Sequence, residues 1–197
     1  MLETTSSTLH QTIFNNGALN GYYVVLYGEI YRLFSAMFLH NDIMHIVMNM
    51  LSLYMVGGMV ERLFTTWGYL GIYFMSAFLG SFASIYMHPI GWAVGASGAI
   101  FGIFGALAGF AFIHRTRMHY QFMQFMRSFG VVLAINFFIG IIFPSIDMSA
   151  HIGGLLAGFI GGIFVAKNSN YLAFYLVGMT LLLLALYNYY PTLYVAL

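Results

Sequence analysis

Charged side chains are scarce in this chain: only 6% of its 197 residues are Asp, Glu, Lys or Arg, and 61% are hydrophobic. A soluble domain carries roughly a quarter charged residues. The scarcity excludes an ordinary soluble protein and indicates an integral membrane protein. Cysteine is absent, which excludes disulfides and thiolate metal sites. A net charge of +1 gives no reason to expect a nucleic-acid partner.

The N-terminal part of the chain lacks the run of about 20 apolar residues that a spanning helix needs. Residues 1–11 also lack the basic-then-apolar pattern of a signal peptide. Residues 21–39 are apolar and rich in tyrosine, which suits the headgroup level of a membrane, but Glu29 and Arg32 interrupt them. We therefore predict that residues 1–42 form a polar N-terminal segment and a membrane-associated outer loop.

Six apolar segments of helical length follow, and we predict an all-α bundle of six transmembrane helices over residues 43–190. The segments are residues 43–60, 68–87, 93–113, 128–143, 149–166 and 171–189. Residues 118–127 are apolar and aromatic, and we predict that they lie on the membrane surface.

The positive charges predict the orientation of this bundle. Five of the six Lys and Arg residues lie in or beside the first, third and fifth connections between the segments. By the positive-inside rule that side is cytoplasmic. The N-terminal region and the C-terminus then both face outside.

Four polar residues fall near the outer ends of their segments, at a similar depth: His45, Asn49, Ser97 and His151. Intramembrane polar residues at one depth indicate a functional site. A serine needs an adjacent base to become a nucleophile, and histidine is the usual base. Asn49 and His45 share one helix face. They could donate to an oxyanion, as could backbone N–H groups at the start of the Ser97 helix.

Glycines recur at four-residue spacing on the two segments that carry Ser97 and His151. They are Gly98, Gly102, Gly105 and Gly109 on one segment and Gly154, Gly158 and Gly162 on the other. A face of small residues lets two membrane helices approach closely. We therefore predict that these segments pack together and bring Ser97 toward His151.

Other interpretations stay open at this point. A serine in a membrane helix usually bonds to a carbonyl one turn earlier. His40, His45 and His151 could bind a metal through neutral imidazoles, although no carboxylate on these faces completes the site and no H-E-x-x-H is present. Asp147 could orient His151, but we expect it in a loop and assume a Ser–His dyad. An α/β-hydrolase elbow is excluded, because the residues around Ser97 read as helix rather than strand.

At these residues the chain resembles the rhomboid intramembrane serine proteases. Six motifs stand in family order and together cover about residues 28–166. They are GEIYRL at 28–33, FLH at 38–40, H-x-x-x-N at 45–49, GGMVER at 57–62, GASG at 95–98 and AHIGG at 150–154.

The resemblance implies a role for each matched residue. Ser97 matches the family's nucleophile and His151 its general base. Asn49 and His45 match the oxyanion residues, together with the Ser97 amide, and Phe101 matches the aromatic residue that stacks on the catalytic histidine. The matches also mark as structural Arg32, Glu61, Arg62, Gly95, Gly98, Gly102 and Gly154.

Three segments also match named parts of the family. Residues 19–42 match its outer loop, 128–143 the helix proposed to gate substrate access, and 171–189 the extra C-terminal helix of some members. The chain departs from the family in two ways. No helix corresponding to the first core helix precedes Gly17, and Tyr31 stands where Trp is usual.

The resemblance implies an intramembrane serine endopeptidase that cleaves transmembrane proteins near the outer membrane face, without a cofactor or metal. Its partners would be transmembrane substrates and the lipid bilayer, and we expect a multi-pass protein of a bacterial plasma membrane. The alternative is a catalytically silent rhomboid-like protein that binds membrane clients, against which Ser97 and His151 argue. A small-solute transporter would place its polar groups at mid-membrane rather than near one face.

Overall fold

The computed structural model describes residues 11–117, 119–142 and 146–194, and most of these residues are helical. The β pairing within this part of the chain is a single bridge between Leu19 and Ala93. The helices are α1 (Gly21–Leu26), α2 (Arg32–Ser35), α3 (Ile43–Ser52), α4 (Gly58–Glu61), α5 (Thr66–Met87), α6 (Ser97–His114), α7 (His119–Ile142), α8 (Met148–Lys167) and α9 (Leu172–Tyr194).

Among the described residues, six helical stretches are long and apolar enough to cross a membrane, which confirms the predicted fold class. The first is Ile43–Glu61, in which α3 and α4 are joined by a π-helical segment at Leu53–Gly57. The others are α5, α6, α8, the part Met123–Gly140 of α7, and Ser169–Tyr194, which contains α9. The division of the chain at residue 42 stays a prediction, although α3 does begin at Ile43, where the Asp42 carboxylate accepts from the His45 amide.

Helix α6 begins four residues later than predicted, at Ser97 rather than at residue 93. The preceding residues are held in an irregular path by the outer loop. Ala93 exchanges two backbone hydrogen bonds with Leu19, and the Gly95 amide donates to the Ala36 carbonyl at 2.9 Å. Backbone groups bonded in this way are not available for a helical turn, so the catalytic candidate Ser97 is the first residue of its helix.

The predicted start of the fourth apolar segment at residue 128 is wrong, whereas the location of residues 118–127 on the membrane surface stays a prediction. Residues 119–127 belong to α7, which runs without a break to Ile142. Neither glycine nor proline interrupts them, so the helix can start well before its most apolar part. Met118 itself lies outside the described residues.

Helix α9 extends five residues beyond its predicted end at 189, to Tyr194, and passes through Pro191. A proline removes one intrahelical hydrogen bond. Contacts of the final turns with α5 hold this end of the helix to the bundle.

The centre of the bundle is the contact between α6 and α8. A methyl group built on Gly154 would overlap the carbonyl oxygen of Gly98, and one on Gly158 would overlap that of Gly102. The two pairs have the same offset along the chain, so the helices run parallel with both N-termini at one end. The predicted close approach of these glycine faces is present, and it brings backbone against backbone.

The outer loop is organised around Arg32, which is 4% exposed. Its guanidinium forms an ion pair with Glu29 at 2.5 Å and donates to the carbonyl oxygens of Phe14 and Ala18 at 3.0 and 2.9 Å. Aromatic rings, among them those of Phe14 and Trp92, surround it. This buried arginine ties Phe14 and Ala18 to residues 29–32.

Candidate functional site

Ser97 and His151 meet where α6 and α8 begin. Ser97 is the first residue of α6, and His151 is the fourth of α8. Because the helices are parallel, both residues lie at the same end of the bundle. Ser97 Oγ lies 2.8 Å from His151 Nε2, a hydrogen-bond distance. The predicted contact is therefore present, and the serine hydroxyl bonds across the bundle to the histidine.

The His151 ring is held by its neighbours. It is 7% exposed and stacks on Phe101, with 4.2 Å between ring centroids and 6° between planes. Phe101 lies one turn after Ser97 on α6. The same helix therefore supplies the hydroxyl that bonds to the His151 ring and the phenyl ring on which it stacks. This geometry restrains the rotation of the imidazole and keeps Nε2 directed at the hydroxyl.

Asp147 does not orient His151. Its carboxylate caps the start of α8, where it accepts from the Ala150 amide at 3.0 Å and from the Ser149 hydroxyl. His151 Nδ1 is buried and has no hydrogen-bond partner among the described residues. The Asp147 carboxylate is thus used by the backbone at the start of α8, and a catalytic Ser–His dyad stays a proposal.

Gly95 brings the first spanning helix against the loop before Ser97. Its φ of 120° lies in the left-handed region, where residues with a side chain are strained. A Cβ atom at this position would lie 2.7 Å from His45 Nε2 and 3.4 Å from Asn49 Nδ2. Glycine is therefore needed twice, for the turn and for the space that these two side chains occupy.

Unused hydrogen-bond donors converge near Ser97. Asn49 is 7% exposed, and its Nδ2 finds no partner in the part of the chain that the structure describes. A buried donor without an acceptor costs about 1–3 kcal/mol. Helix α6 has no side-chain cap at Ala96, and the first amides of a helix have no intrahelical acceptor. Both sets of donors are available for a ligand that carries negative charge.

Cavities lie on two sides of the pair. A cavity of about 40 Å³ beside Ser97 is lined by residues 93–95 and 97–99, by apolar residues such as Met37, and by Ser81 and Asp147. It can hold water, which needs at least about 10–15 Å³. A larger apolar cavity of about 530 Å³ lies between α7 and α8, beside His151 and Phe101. The site therefore has a small polar side and a wide apolar side.

Sequence analysis missed Ser81, a half-buried residue that lines the small cavity. The available signal was a polar side chain in a largely apolar helix, although Ser76 and Ser84 lie in the same helix. Met37, which also lines this cavity, is an ordinary apolar residue of the outer loop. No pattern in the sequence distinguishes it from its neighbours.

Of the three histidines considered as metal ligands, two have their rings in contact. His40 and His45 meet edge to face with 4.9 Å between centroids. Burial, and secondarily the neighbouring His45, lower the pKa of His40 below its ordinary value, which favours a neutral ring. Within the described residues, no three His, Asp or Glu side chains are grouped so that they could hold a metal ion.

The predicted structural residues differ in what surrounds them. Arg32 is buried and bonded, whereas Glu61 and Arg62 are exposed at the end of α4. Neither of these two makes a side-chain hydrogen bond or an ion pair with another described residue. Gly102 lies against Ser76 of α5 as well as against α8. The structural roles of Glu61 and Arg62 stay predictions.

Comparisons with known proteins agree with the motifs. The profile of the Rhomboid domain family matches residues 27–168. The chain is 39% identical over 140 residues to "Rhomboid protease GluP" of Bacillus subtilis (strain 168), an alignment of 69% of this chain and 26% of that protein.

Two similar proteins come from Arabidopsis thaliana. "RHOMBOID-like protein 1" is 36% identical over 154 residues, 77% of this chain and 38% of that protein. "RHOMBOID-like protein 6, mitochondrial" is 38% identical over 164 residues, 82% of this chain and 50% of that protein. The chain thus spans between a quarter and a half of the length of these relatives. Their sources are plant, mitochondrial and bacterial, so they do not support a bacterial plasma membrane in particular.

Proposed function

This chain belongs to the rhomboid family of multi-pass membrane proteins, and on that premise we propose that it is an intramembrane serine endopeptidase. Ser97 is the nucleophile and His151 the general base. The observation that carries the proposal is the 2.8 Å contact between Ser97 Oγ and His151 Nε2, on a ring stacked against Phe101. A serine hydroxyl needs such a base to attack a peptide carbonyl.

The reaction follows from these positions. His151 Nε2 accepts the hydroxyl proton as Ser97 Oγ attacks the scissile carbonyl. The resulting imidazolium then gives that proton to the leaving amine, and an ester remains on Ser97. Water, activated by the same nitrogen, hydrolyses the ester. The small cavity beside Ser97 has room for this water.

The oxyanion formed during the attack needs donors that are already in place. We propose that Asn49 Nδ2, His45 and the Ser97 amide supply them. The buried Asn49 amide without a partner supports its assignment, because an acceptor that appears only in the reaction would satisfy it. His45 and Asn49 both lie against Gly95, two residues before the nucleophile.

The proposed substrates are transmembrane proteins cut near the outer membrane face. The apolar cavity beside His151 supports access from the bilayer rather than from water. Of the three relatives described above, the bacterial one is named a protease and the two plant proteins are named only rhomboid-like. The outward orientation and a bacterial plasma membrane stay predictions from the charge pattern and the resemblance.

Cleavage of a reporter transmembrane peptide by the purified protein in liposomes tests the proposal. The wild-type protein should produce two fragments, and Ser97→Ala and His151→Ala should produce none above the uncatalysed background. Both variants must melt at the wild-type temperature, so that a loss of cleavage does not reflect unfolding. If the wild-type protein binds reporter transmembrane peptides tightly but cleaves none of them, the alternative of a catalytically silent binding protein is favoured instead.

A further inference from the structure

The last turns of α9 are attached to α5 by two buried tyrosine hydroxyls. Tyr190 donates to the Phe82 carbonyl oxygen at 2.9 Å, and Tyr194 donates to that of Ile85 at 2.8 Å. These tyrosines are 4% and 7% exposed, although most of α9 faces outwards. The receiving carbonyls belong to the end of α5 that leads into the loop before Ser97.

Tyr194 replaces a donor that the backbone cannot provide. In a continuing helix, the carbonyl of Ile85 would accept from the amide of residue 89. That residue is Pro89, which has no N–H, and α5 ends at Met87. A buried carbonyl left without a donor is costly. The Tyr194 hydroxyl fills this place and thereby completes the end of α5.

The outer loop closes on the same point. A methyl group on Gly21 would overlap the Tyr194 hydroxyl and lie 2.8 Å from the Pro89 carbonyl oxygen. That oxygen accepts from the Tyr22 amide at 3.0 Å. The start of α1 therefore packs tightly against the ends of α5 and α9 at one junction.

Between this junction and Ser97, the chain is held by several hydrogen bonds to the outer loop. The Asn20 side chain donates to the carbonyl oxygens of Ile90 and Gly91 at 3.1 and 3.2 Å. Ala93 pairs with the outer loop, and Gly95 bonds to Ala36. Residues 88–96 thus follow one path, and its start is set beside Tyr194.

We propose that Tyr194 is a positioning residue for Ser97. Its hydroxyl holds the end of α5 and the adjoining outer loop in register, and this register sets where residues 88–96 deliver Ser97 relative to His151. The helix α9 then contributes to the active site without touching it. The effect on turnover rests on the proposed function, whereas the effect on the loop does not.

The first test separates turnover from binding. Tyr194→Phe removes one hydroxyl and should lower kcat for a reporter peptide about tenfold with little change in KM, since a 1 Å misplacement of a reacting group can cost about 100-fold. The matched control is Tyr175→Phe on the same helix. It loses a similar buried bond, to the Ala157 carbonyl at 3.2 Å, and should keep its kcat within about twofold.

The second test needs no activity. Hydrogen exchange is measured at the amides of Gly91, Ala93 and Gly95 in a Ser97→Ala background. Tyr194→Phe should raise exchange at these amides at least about tenfold, and Tyr175→Phe should not. Gly21→Ala, which pushes the Tyr194 hydroxyl out of its place, should reproduce the Tyr194→Phe result.

The outcomes separate this inference from the proposed function. If the wild-type protein cleaves nothing, the proposed function fails, and the exchange experiment still decides whether Tyr194 holds the loop. Unchanged exchange in both Tyr194→Phe and Gly21→Ala would overturn the inference. So would a loosened loop with wild-type kcat in an active protein, because positioning would then have no consequence.

Discussion

Helices α6 and α7 both contain glycines, but most glycines of α6 and Gly130 of α7 have opposite surroundings. Gly102, Gly105 and Gly109 on α6 meet the backbone of α8 or a side chain of α5, with no space for a methyl group. Gly130 on α7 has no atom within 4 Å of an added Cβ. The helix that carries Ser97 is thus locked to the helix that carries His151, whereas α7 contacts the bundle lightly.

This difference fits the proposed function. A nucleophile and its base need a fixed geometry, which backbone-to-backbone packing provides. Few buried contacts lower the local stability of an element, so α7 can move at the least cost. It borders the apolar cavity beside His151, and such movement would widen that cavity without disturbing the dyad.

The largest expected effect comes from filling the tight contact. Gly154→Val would force two methyl groups against the Gly98 carbonyl and should lower the free energy of unfolding by about 3 kcal/mol or more, with loss of reporter cleavage. Gly130→Val is the matched control on α7 and should retain cleavage. Thermal melting and reporter cleavage are measured together. Equal effects of the two substitutions would refute the contrast between the helices.

The next effect is on turnover at the fixed site. Asn49→Ala removes a proposed oxyanion donor and should lower kcat by about 10²–10³ with little change in KM. Asn136→Ala on α7 removes only a bond to the Val132 carbonyl within its own helix and should leave kcat within about twofold. Steady-state cleavage by both variants gives the answer. A raised KM with normal kcat for Asn49→Ala would make it a binding or packing residue.

A smaller effect is expected for the ring that supports His151. Phe101→Leu removes the stack and should lower kcat about 3- to 10-fold, as expected for a contact of about 0.5–1.5 kcal/mol. Phe101→Tyr keeps the stack and should stay close to wild type. If Phe101→Leu left kcat unchanged, the stacking would have no role in holding the imidazole.

The smallest expected effect is a gain in stability. Gly130→Ala on α7 adds a methyl group in open space and should raise the free energy of unfolding by about 0.5–1 kcal/mol, since glycine is the poorer helix former. Gly102→Ala on α6, where the same methyl group meets Ser76 and the backbone of α8, should be destabilising. Chemical denaturation in detergent compares them, and the opposite signs are the result to check.

The sequence predicted the six spans, their order and the residues that meet at the site. Those features depend on local apolar length and on motifs that each lie within a few residues. The predicted start of α6 was wrong, because Ala93 and Gly95 form hydrogen bonds with residues about 60–75 positions away in the chain. The place of Tyr194 was also out of reach, since it depends on how α9 packs against α5.

The central claim is that His151 activates Ser97, and labelling with a serine-reactive fluorophosphonate probe measures this directly. Purified wild-type protein should be labelled in a time-dependent manner, with the modification at Ser97. Folded Ser97→Ala should not react, and folded His151→Ala should react at least about 100-fold more slowly. Labelling of His151→Ala at the wild-type rate would contradict the account.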